Sequence, residues 1–525
     1  MIRTIALISP YDSFEAHGLR SLSAYLKSNG IRTKMIFLPS YTETWQFFFR
    51  QKPSATYSSE VGKALRAIVS DCDAVGITMM TVDKPRVRAL IHELEPLGIP
   101  IVLGGVHPTV FPEDAIRLAD RVIVGEGFQP LLEWCLEPLR KDIENLWTRT
   151  ADGVIRNPIR PAIDDIDTLP FPDYGPLNHW VLQGNAIRPM DNDILGKFLS
   201  RTYHQFASLG CPFSCSYCIN NHYTKIGKGY GSFRRHSVDY IIEEAKYGLG
   251  LSADIEYIDF RDDGFIFMKE EHLEEFARKF KSRINLPFSA TGIIPAFLTE
   301  RKLELLVSAG LRRTRLGFQS ACKETLRFYR RSGDAAQYEK CNDMLQKFDR
   351  LVFPYYDIIT DNVFLDPEKD ALETIEFLLR LKGRFSIILY GLRVYPGTEI
   401  HRKAEELGLD KKCFEDTYME FSHNLLNYIL TLIQCSQSKL LPRLMLGLYR
   451  SAGNLTVPKF LFTINRLLWH ARCALEHVRK DDVSVLPDAV VRLFHRSNRE
   501  RCPEDRALHP ETSSAVPAAP EVSGS

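Results

Sequence analysis

Short apolar runs alternate with helically spaced stretches along the first 135 residues. The runs Thr4–Ser9, Thr33–Leu38, Ala74–Met79, Ile99–Leu103 and Arg121–Val124 read as strands. Leu19–Ser28, Val61–Ser70 and Val87–Leu97 between them repeat at helical spacing. Strand–helix alternation of this kind predicts a doubly wound, Rossmann-like parallel sheet covered on both faces. The alternation returns further on, with strand-like runs at Gln205–Leu209, Ile255–Phe260, Pro287–Thr291, Thr314–Phe318, Tyr355–Val363 and Ser386–Val394. Six such repeats predict a partial (β/α)6 barrel with its site at the C-terminal ends of the strands. Residues 139–200 read as a linker, because Arg160–Tyr174 carries three prolines and four aspartates in an extended pattern. Beyond residue 411 the apolar stretches are helical, at 421–433, 440–449 and 458–478. The division expected is therefore α/β throughout, with domains 1–138 and 201–410, a helical region 411–500 and a disordered Pro/Ala/Ser/Glu-rich tail 501–525.

A chain of 525 residues exceeds one core. Its 45% hydrophobic and 25% charged content is ordinary for a soluble protein. A net charge of +1 gives no argument for nucleic acid or for an acidic partner. The N-terminus reads as a strand and not a signal peptide, and no apolar run reaches the ~18–20 residues of a membrane span. The 11 cysteines follow no disulfide pattern, which points to a reducing cytoplasm. Charge changes the picture only at 439–501. There Arg443, Arg450, Lys459, Arg466, Arg472, Arg479, Lys480, Arg492, Arg496 and Arg499 face few acids. This region reads as a helical cap on the barrel, with its cations solvated, or as a surface for a membrane, a lipid-like or an anionic substrate.

The candidate chemistry centres on Cys211-Pro-Phe-Ser-Cys215-Ser-Tyr-Cys218. Three thiolates on one loop can ligate three irons of a cubane cluster and leave the fourth open. A zinc site would need a fourth donor, for which His222 is the local candidate. The spacing Cys-x3-Cys-x2-Cys, with Tyr217 before the last cysteine, resembles that of the radical S-adenosylmethionine (SAM) enzymes. In that family a [4Fe-4S] cluster chelates SAM through the open iron and cleaves it to a 5′-deoxyadenosyl radical. An external electron donor such as flavodoxin or ferredoxin is then implied.

The strand ends carry the rest of the comparison. The usual Gly-Gly-Glu after the second barrel strand is replaced by Asp262-Asp263-x-Phe265, whose carboxylates can still accept from the SAM ammonium. Gly317-Phe-Gln319-Ser320 stands where Gly-x-Glu-Ser is common, and Gln319 can still bond a ribose hydroxyl. Tyr395-Pro396-Gly397-Thr398 resembles the last-strand motif near the adenine. The bland reading of these side chains is loop capping. In the first domain Gly-x-Gly-x-x-Gly is absent, which disfavours a dinucleotide. Gly104-Gly105-Val-His107-Pro-Thr109, with Gly125-Glu126-Gly127, instead resembles the cobalamin-binding domain that precedes many radical SAM domains. The resemblance implies cobalamin contacts at Tyr11, Thr78, Thr81, Gly104, Gly105, His107, Gly125, Glu126 and Gly127. The Asp-x-His-x-x-Gly motif is missing, so no histidine lower ligand comes from it. His107 is read as a ligand contact in preference to a loop cap.

The resemblance implies a cobalamin-dependent radical SAM methyltransferase acting on an unactivated carbon of a small-molecule or lipid-like biosynthetic intermediate. One SAM would methylate cob(I)alamin, and a second would supply the radical that abstracts a substrate hydrogen before methyl transfer. No general base is named by the sequence. Two other readings use the same residues: a non-methylating rearrangement or cyclisation, and a cobalamin or cluster sensor without catalysis. Methylthio transfer to tRNA expects three further N-terminal cysteines, and only Cys72 and Cys135 are present, so no nucleic acid partner is expected.

Overall fold

The computed structural model describes residues 1–11, 16–39, 54–409 and 420–480. The N-terminal strands are β1 (Thr4–Ser9), β2 (Arg32–Phe37), β3 (Ala74–Thr78), β4 (Ile101–Gly104) and β5 (Arg121–Ile123). They join β6 (Leu146–Thr150), β7 (Gly153–Arg156), β8 (His179–Gln183) and β9 (Ala186–Pro189) in one nine-stranded sheet, ordered β7-β6-β5-β4-β3-β1-β2-β8-β9. Strands β5 to β8 of that order are parallel, and β6, β7 and β9 are antiparallel additions at the two edges. All of β1 is buried, and its residues divide by parity. Ile5 and Leu7 pack in one core with Leu19, Leu26 and Trp134; Ala6 and Ile8 pack in another with Val61, Leu65 and Leu90. A strand sandwiched between two helical layers must be apolar at every position, which is why it reads as an unbroken run.

The predicted linker is more than a connector. Its two hairpins, β6–β7 and β8–β9, extend the N-terminal sheet at opposite edges. The acidic, proline-rich stretch 160–174 does run without strands, with one 3-10 turn at Ile166–Thr168. It is fastened by the buried Arg20, which donates to the Asp173 carbonyl at 2.8 Å and stacks over the Phe37 and Tyr174 rings. The Asp173 carboxylate accepts from Ser23 and Lys27.

The second sheet has six parallel strands, β10 (Thr202–Gln205), β13 (Tyr257–Phe260), β14 (Phe288–Ile293), β15 (Leu311–Gln319), β16 (Tyr355–Thr360) and β17 (Ser386–Gly391), in that order. The first of them lies earlier than the expected Gln205–Leu209. Ser208–Leu209 leaves the sheet as β11 and pairs antiparallel with β12 (Arg234–Arg235). The cause is the buried Asp262, whose carboxylate accepts from the Ala207 amide and the Ser208 hydroxyl and draws the chain aside. Helices Leu425–Cys435, Leu440–Ala452 and Lys459–Arg479 follow the barrel, the first buried along β17 and helix Pro367–Arg380. The expectations for 410–419 and 481–525, including the tail, Cys413 and Cys502, lie outside the described residues.

Candidate active site at the facing strand ends

The three-cysteine loop starts at a forced turn. Gly210 has φ +80°, and a Cβ there would stand 2.4 Å from the Ser232 carbonyl oxygen, so glycine is required before Cys211. The Cys218 amide closes back on the Cys215 carbonyl at 3.0 Å, and Asn221 Nδ2 donates to the Ser214 carbonyl at 2.8 Å. Ser216 fastens the loop to the barrel through the Tyr329, Phe328 and Ile400 backbones. All three thiols are free. Burial pushes Cys211 up to about 11 and Cys218 up to about 12, with Asp263 and the neighbouring cysteines adding to it. Such thiolates form when a cation relieves their isolation, as an iron cluster does. Among the described residues no three His, Cys, Asp or Glu side chains converge on one ion. His222, the candidate fourth zinc donor, turns elsewhere: it is hydrogen-bonded to the backbones of Gly397 and Thr109.

Sequence reasoning missed Arg331. Its Nη1 lies 3.8 Å from Cys215 Sγ, and Nη2 donates to the Gly317 carbonyl at 2.6 Å. Burial opposes its charge, but the facing Tyr217, Cys215 and Tyr338 groups outweigh burial and hold it above its ordinary value. The signal was the Arg330–Arg331 pair just beyond helix Lys323–Phe328 at the strand-end face.

The SAM candidates separate. Asp262 is 2% exposed with both oxygens taken by its own chain, so it caps the Ala207–Ser208 turn. Asp263 is exposed, accepts from Asn220 Nδ2 at 3.1 Å and lies within electrostatic reach of Cys211 and Cys218. Gln319 ends β15 with φ +68°, an unusual backbone for a side-chain-bearing residue, with its Nε2 beside Gly317 and the Arg331 guanidinium. Tyr217 packs edge-on to Tyr329 at 4.9 Å. Gly397, after Pro396, has φ +82°, and a Cβ there would meet Val110 at 2.8 Å and His222 at 3.1 Å.

The cobalamin candidates separate too. The Tyr11 hydroxyl bonds Thr78 Oγ1 at 2.7 Å. Thr81 bonds His107 Nδ1 at 3.1 Å, and Asp114 takes His107 Nε2 at 3.0 Å. Both ring nitrogens of His107, which is 1% exposed, are thus engaged within its own domain. Gly105 (φ +101°) is crowded by Thr78 and Met79, so its missing side chain serves the turn itself. A Cβ on Gly104 would meet nothing within 4 Å, which leaves open space at the end of β4.

The 125–127 loop holds the two sheets together. The Tyr230 hydroxyl accepts from the Glu126 amide at 3.1 Å and from Asn145 Nδ2 at 3.0 Å, against Gly125. The Glu126 carboxylate pairs with Arg234 at 2.7 Å and accepts from the Ile163 amide at 2.9 Å. On the other side Tyr223, one turn past the cysteines, hydrogen-bonds Thr109 and senses Tyr11 and Asp263. The strand ends of the two sheets therefore face one another, with the cysteine loop and helix Asn220–Ile226 between them.

Comparison with known proteins agrees with this geometry. Residues 207–392 match the Radical SAM superfamily and residues 3–133 match the B12 binding domain. Bacteriochlorophyllide d C-8(2)-methyltransferase of Chlorobaculum tepidum is 26% identical over 65% of this chain and 70% of its own length. An anaerobic magnesium-protoporphyrin IX monomethyl ester cyclase of Rubrivivax gelatinosus is 22% identical over 84% of this chain and 74% of its own. The radical SAM methyltransferase TsrM from Kitasatospora setae, solved with cobalamin and a [4Fe-4S] cluster bound, shares the fold. Its TM-score is 0.60 at 17% identity, over 78% of each chain.

Proposed function

The chain is a cobalamin-dependent radical SAM enzyme, using a [4Fe-4S] cluster, SAM and cobalamin; from that premise we propose that it methylates an unactivated carbon of a small-molecule or lipid-like biosynthetic intermediate. When bound, cluster and SAM supply a carbon-centred radical, and cobalamin supplies a methyl group. Cys211, Cys215 and Cys218 would hold the cluster, with Arg331 placing positive charge against the Cys215 sulfur. Asp263 would accept from the SAM ammonium, while Gln319, Tyr217 and the Pro396–Gly397 turn would line the rest of SAM. Asp262 shapes the turn that presents the cysteine loop. The open space at Gly104, beside Tyr11, Thr78 and Thr81, would admit the corrin. An external one-electron donor of the flavodoxin or ferredoxin kind would reduce the cluster.

One observation carries the reading: the chain that leaves the free-thiol loop is tied to the strand ends of the first sheet, Tyr230 accepting from the Glu126 amide and Arg234 pairing with the Glu126 carboxylate. Both cofactors would then open on one cavity, which sequential radical formation and methyl transfer require. The experiment is turnover of the anaerobically reconstituted enzyme with methyl-labelled SAM and candidate intermediates. Label in a C-methyl product supports the reading, and 5′-deoxyadenosine formed with an unlabelled, cyclised product replaces it. The cyclase among the relatives makes that second outcome the alternative to test. Cys215→Ala should abolish 5′-deoxyadenosine formation, and a variant that still formed it would refute the cluster assignment.

A further inference from the structure

The helices after the barrel expose an apolar face that the reading of the active site does not use. On helix Leu440–Ala452, Leu440, Leu441, Leu444 and Leu448 are exposed, at the spacing of one helix face, while Pro442 and Leu446 are buried. On helix Lys459–Arg479, Phe460, Ile464, Leu467, Leu468 and Leu475 are exposed, with Leu440, Phe460 and Leu475 at 68%, 62% and 72%. With Leu455 between the helices, this region holds 10 of the 19 exposed large hydrophobic residues among those described. A soluble surface scatters such residues singly; a cluster marks something that covers them.

The chemistry around the patch selects the partner. From Lys439 to Lys480 the chain carries eight Lys and Arg and a single acid, Glu476. Glu476 is buried in pairs with Arg384 and Arg479, so no acidic side chain of this segment is offered to a partner. Arg443 and Lys459 are exposed beside the leucines and have no ion pair among the described residues. Protein interfaces favour Tyr, Trp, Phe and Met and deplete Lys. Here eight of the ten exposed residues are leucine. Among the described residues no helix is long and apolar enough to cross a bilayer. A leucine face rimmed by cations on helices too polar to span is the pattern of an in-plane membrane contact.

We infer that helices Leu440–Ala452 and Lys459–Arg479 dock the enzyme on the surface of an anionic bilayer, leucines into the headgroup–acyl boundary and Arg443 and Lys459 over the lipid charges. The inference is independent of the proposed methyl transfer, because it is read without substrate or turnover. The test is cosedimentation of the full-length protein with phosphatidylcholine vesicles, with and without phosphatidylglycerol. Binding should require the anionic lipid and weaken as salt is added. Combining Leu444→Ser, Leu467→Ser and Leu468→Ser should lower partitioning roughly tenfold or more per leucine. Arg443→Glu with Lys459→Glu should cost about fivefold or more per residue. All are surface changes, and unaltered thermal unfolding checks that the fold is kept. Wild type that binds neither vesicle overturns the inference, as do leucine variants that bind as well as wild type. A dimer that the leucine variants dissolve, without vesicle binding, would assign the face to a second copy and overturn it too.

Discussion

Replacing Tyr230 by Phe should loosen the contact between the two halves of the enzyme without removing a side chain from either core. The ring is 4% exposed and stays in place, so no cavity opens. What disappears is one oxygen that accepts from the Glu126 amide at 3.1 Å and from Asn145 Nδ2 at 3.0 Å. Asn145 is fully buried and also donates to the Val124 carbonyl through Nδ2, so only part of its hydrogen bonding is lost. The Glu126 amide has no second acceptor among the described residues. A buried donor left unpaired costs about 1–3 kcal/mol, which puts the pair at roughly 2–4 kcal/mol. That cost falls on the contact between the sheets, because Glu126 and Asn145 belong to the first and Tyr230 follows the cysteine loop of the second. The expected signature is specific. The cluster absorbance and SAM cleavage survive, cobalamin retention falls, and 5′-deoxyadenosine accumulates in excess of methylated product. Denaturant unfolding should shift by the same 2–4 kcal/mol or split into two transitions. Wild-type stability together with a wild-type ratio of 5′-deoxyadenosine to product would refute the clasp.

Asp263→Ala should weaken SAM binding by ten- to a hundredfold, the ~1.5–3 kcal/mol of a hydrogen bond to a charged group, and leave the melting temperature unchanged; equal affinity would return Asp263 to loop capping. Asp262→Ala should do the reverse, lowering the melting temperature with SAM affinity kept, because it strips the acceptors from Ala207 and Ser208; unchanged stability would contradict the turn-shaping role. Gly104→Val should remove cobalamin from a folded protein, read in its absorbance, since the added side chain enters open space. Glu244 gives a pH prediction: burial beside Tyr203 and Gln205 raises it from 4.5 to about 8. Between those values the folded state keeps a proton that the unfolded state has lost, so this group's stabilisation falls as pH rises, by about 1.4 kcal/mol per unit. Glu244→Gln should flatten that slope in urea midpoints measured across the window, and an unchanged slope would sink the assignment.

The parallel strands were legible because strands buried on both faces are apolar throughout, and every expected strand overlaps an observed one. The hairpins of the linker were not. Strand β6 reads Leu-Trp-Thr-Arg-Thr and lies next to the edge strand β7 with half-buried positions, where the apolar signal thins. Their turns were written in the sequence all the same: Asp152-Gly153, with Gly153 at φ +124°, and Gly184-Asn185 between β8 and β9. The shift of the first barrel strand was out of reach, since Asp262 acts on Ala207 from 55 positions away.

The site posed a harder problem, because residue type and strand-end position do not distinguish a ligand contact from a fastening. Asp262, Asp263, His107 and Glu126 all occupy strand ends that face the other domain. What separates them is whether their polar atoms are already spent. Asp262 gives its oxygens to Ala207 and Ser208, His107 its nitrogens to Thr81 and Asp114, and Glu126 its carboxylate to Arg234 and Ile163. Asp263 keeps an exposed carboxylate with one partner, Asn220, on the helix that leaves the cysteine loop. A group that is buried and satisfied would have to break its own hydrogen bonds before binding anything, at about 1–3 kcal/mol for each one lost. Asp263 pays no such cost. The same reasoning favours the open Gly104 over the crowded Gly105, although the two are adjacent in one motif. The fastened residues would still serve the proposed function, since they hold the cysteine loop and the strand ends of the first sheet in register, and the proposed cavity shared by two cofactors would depend on that register.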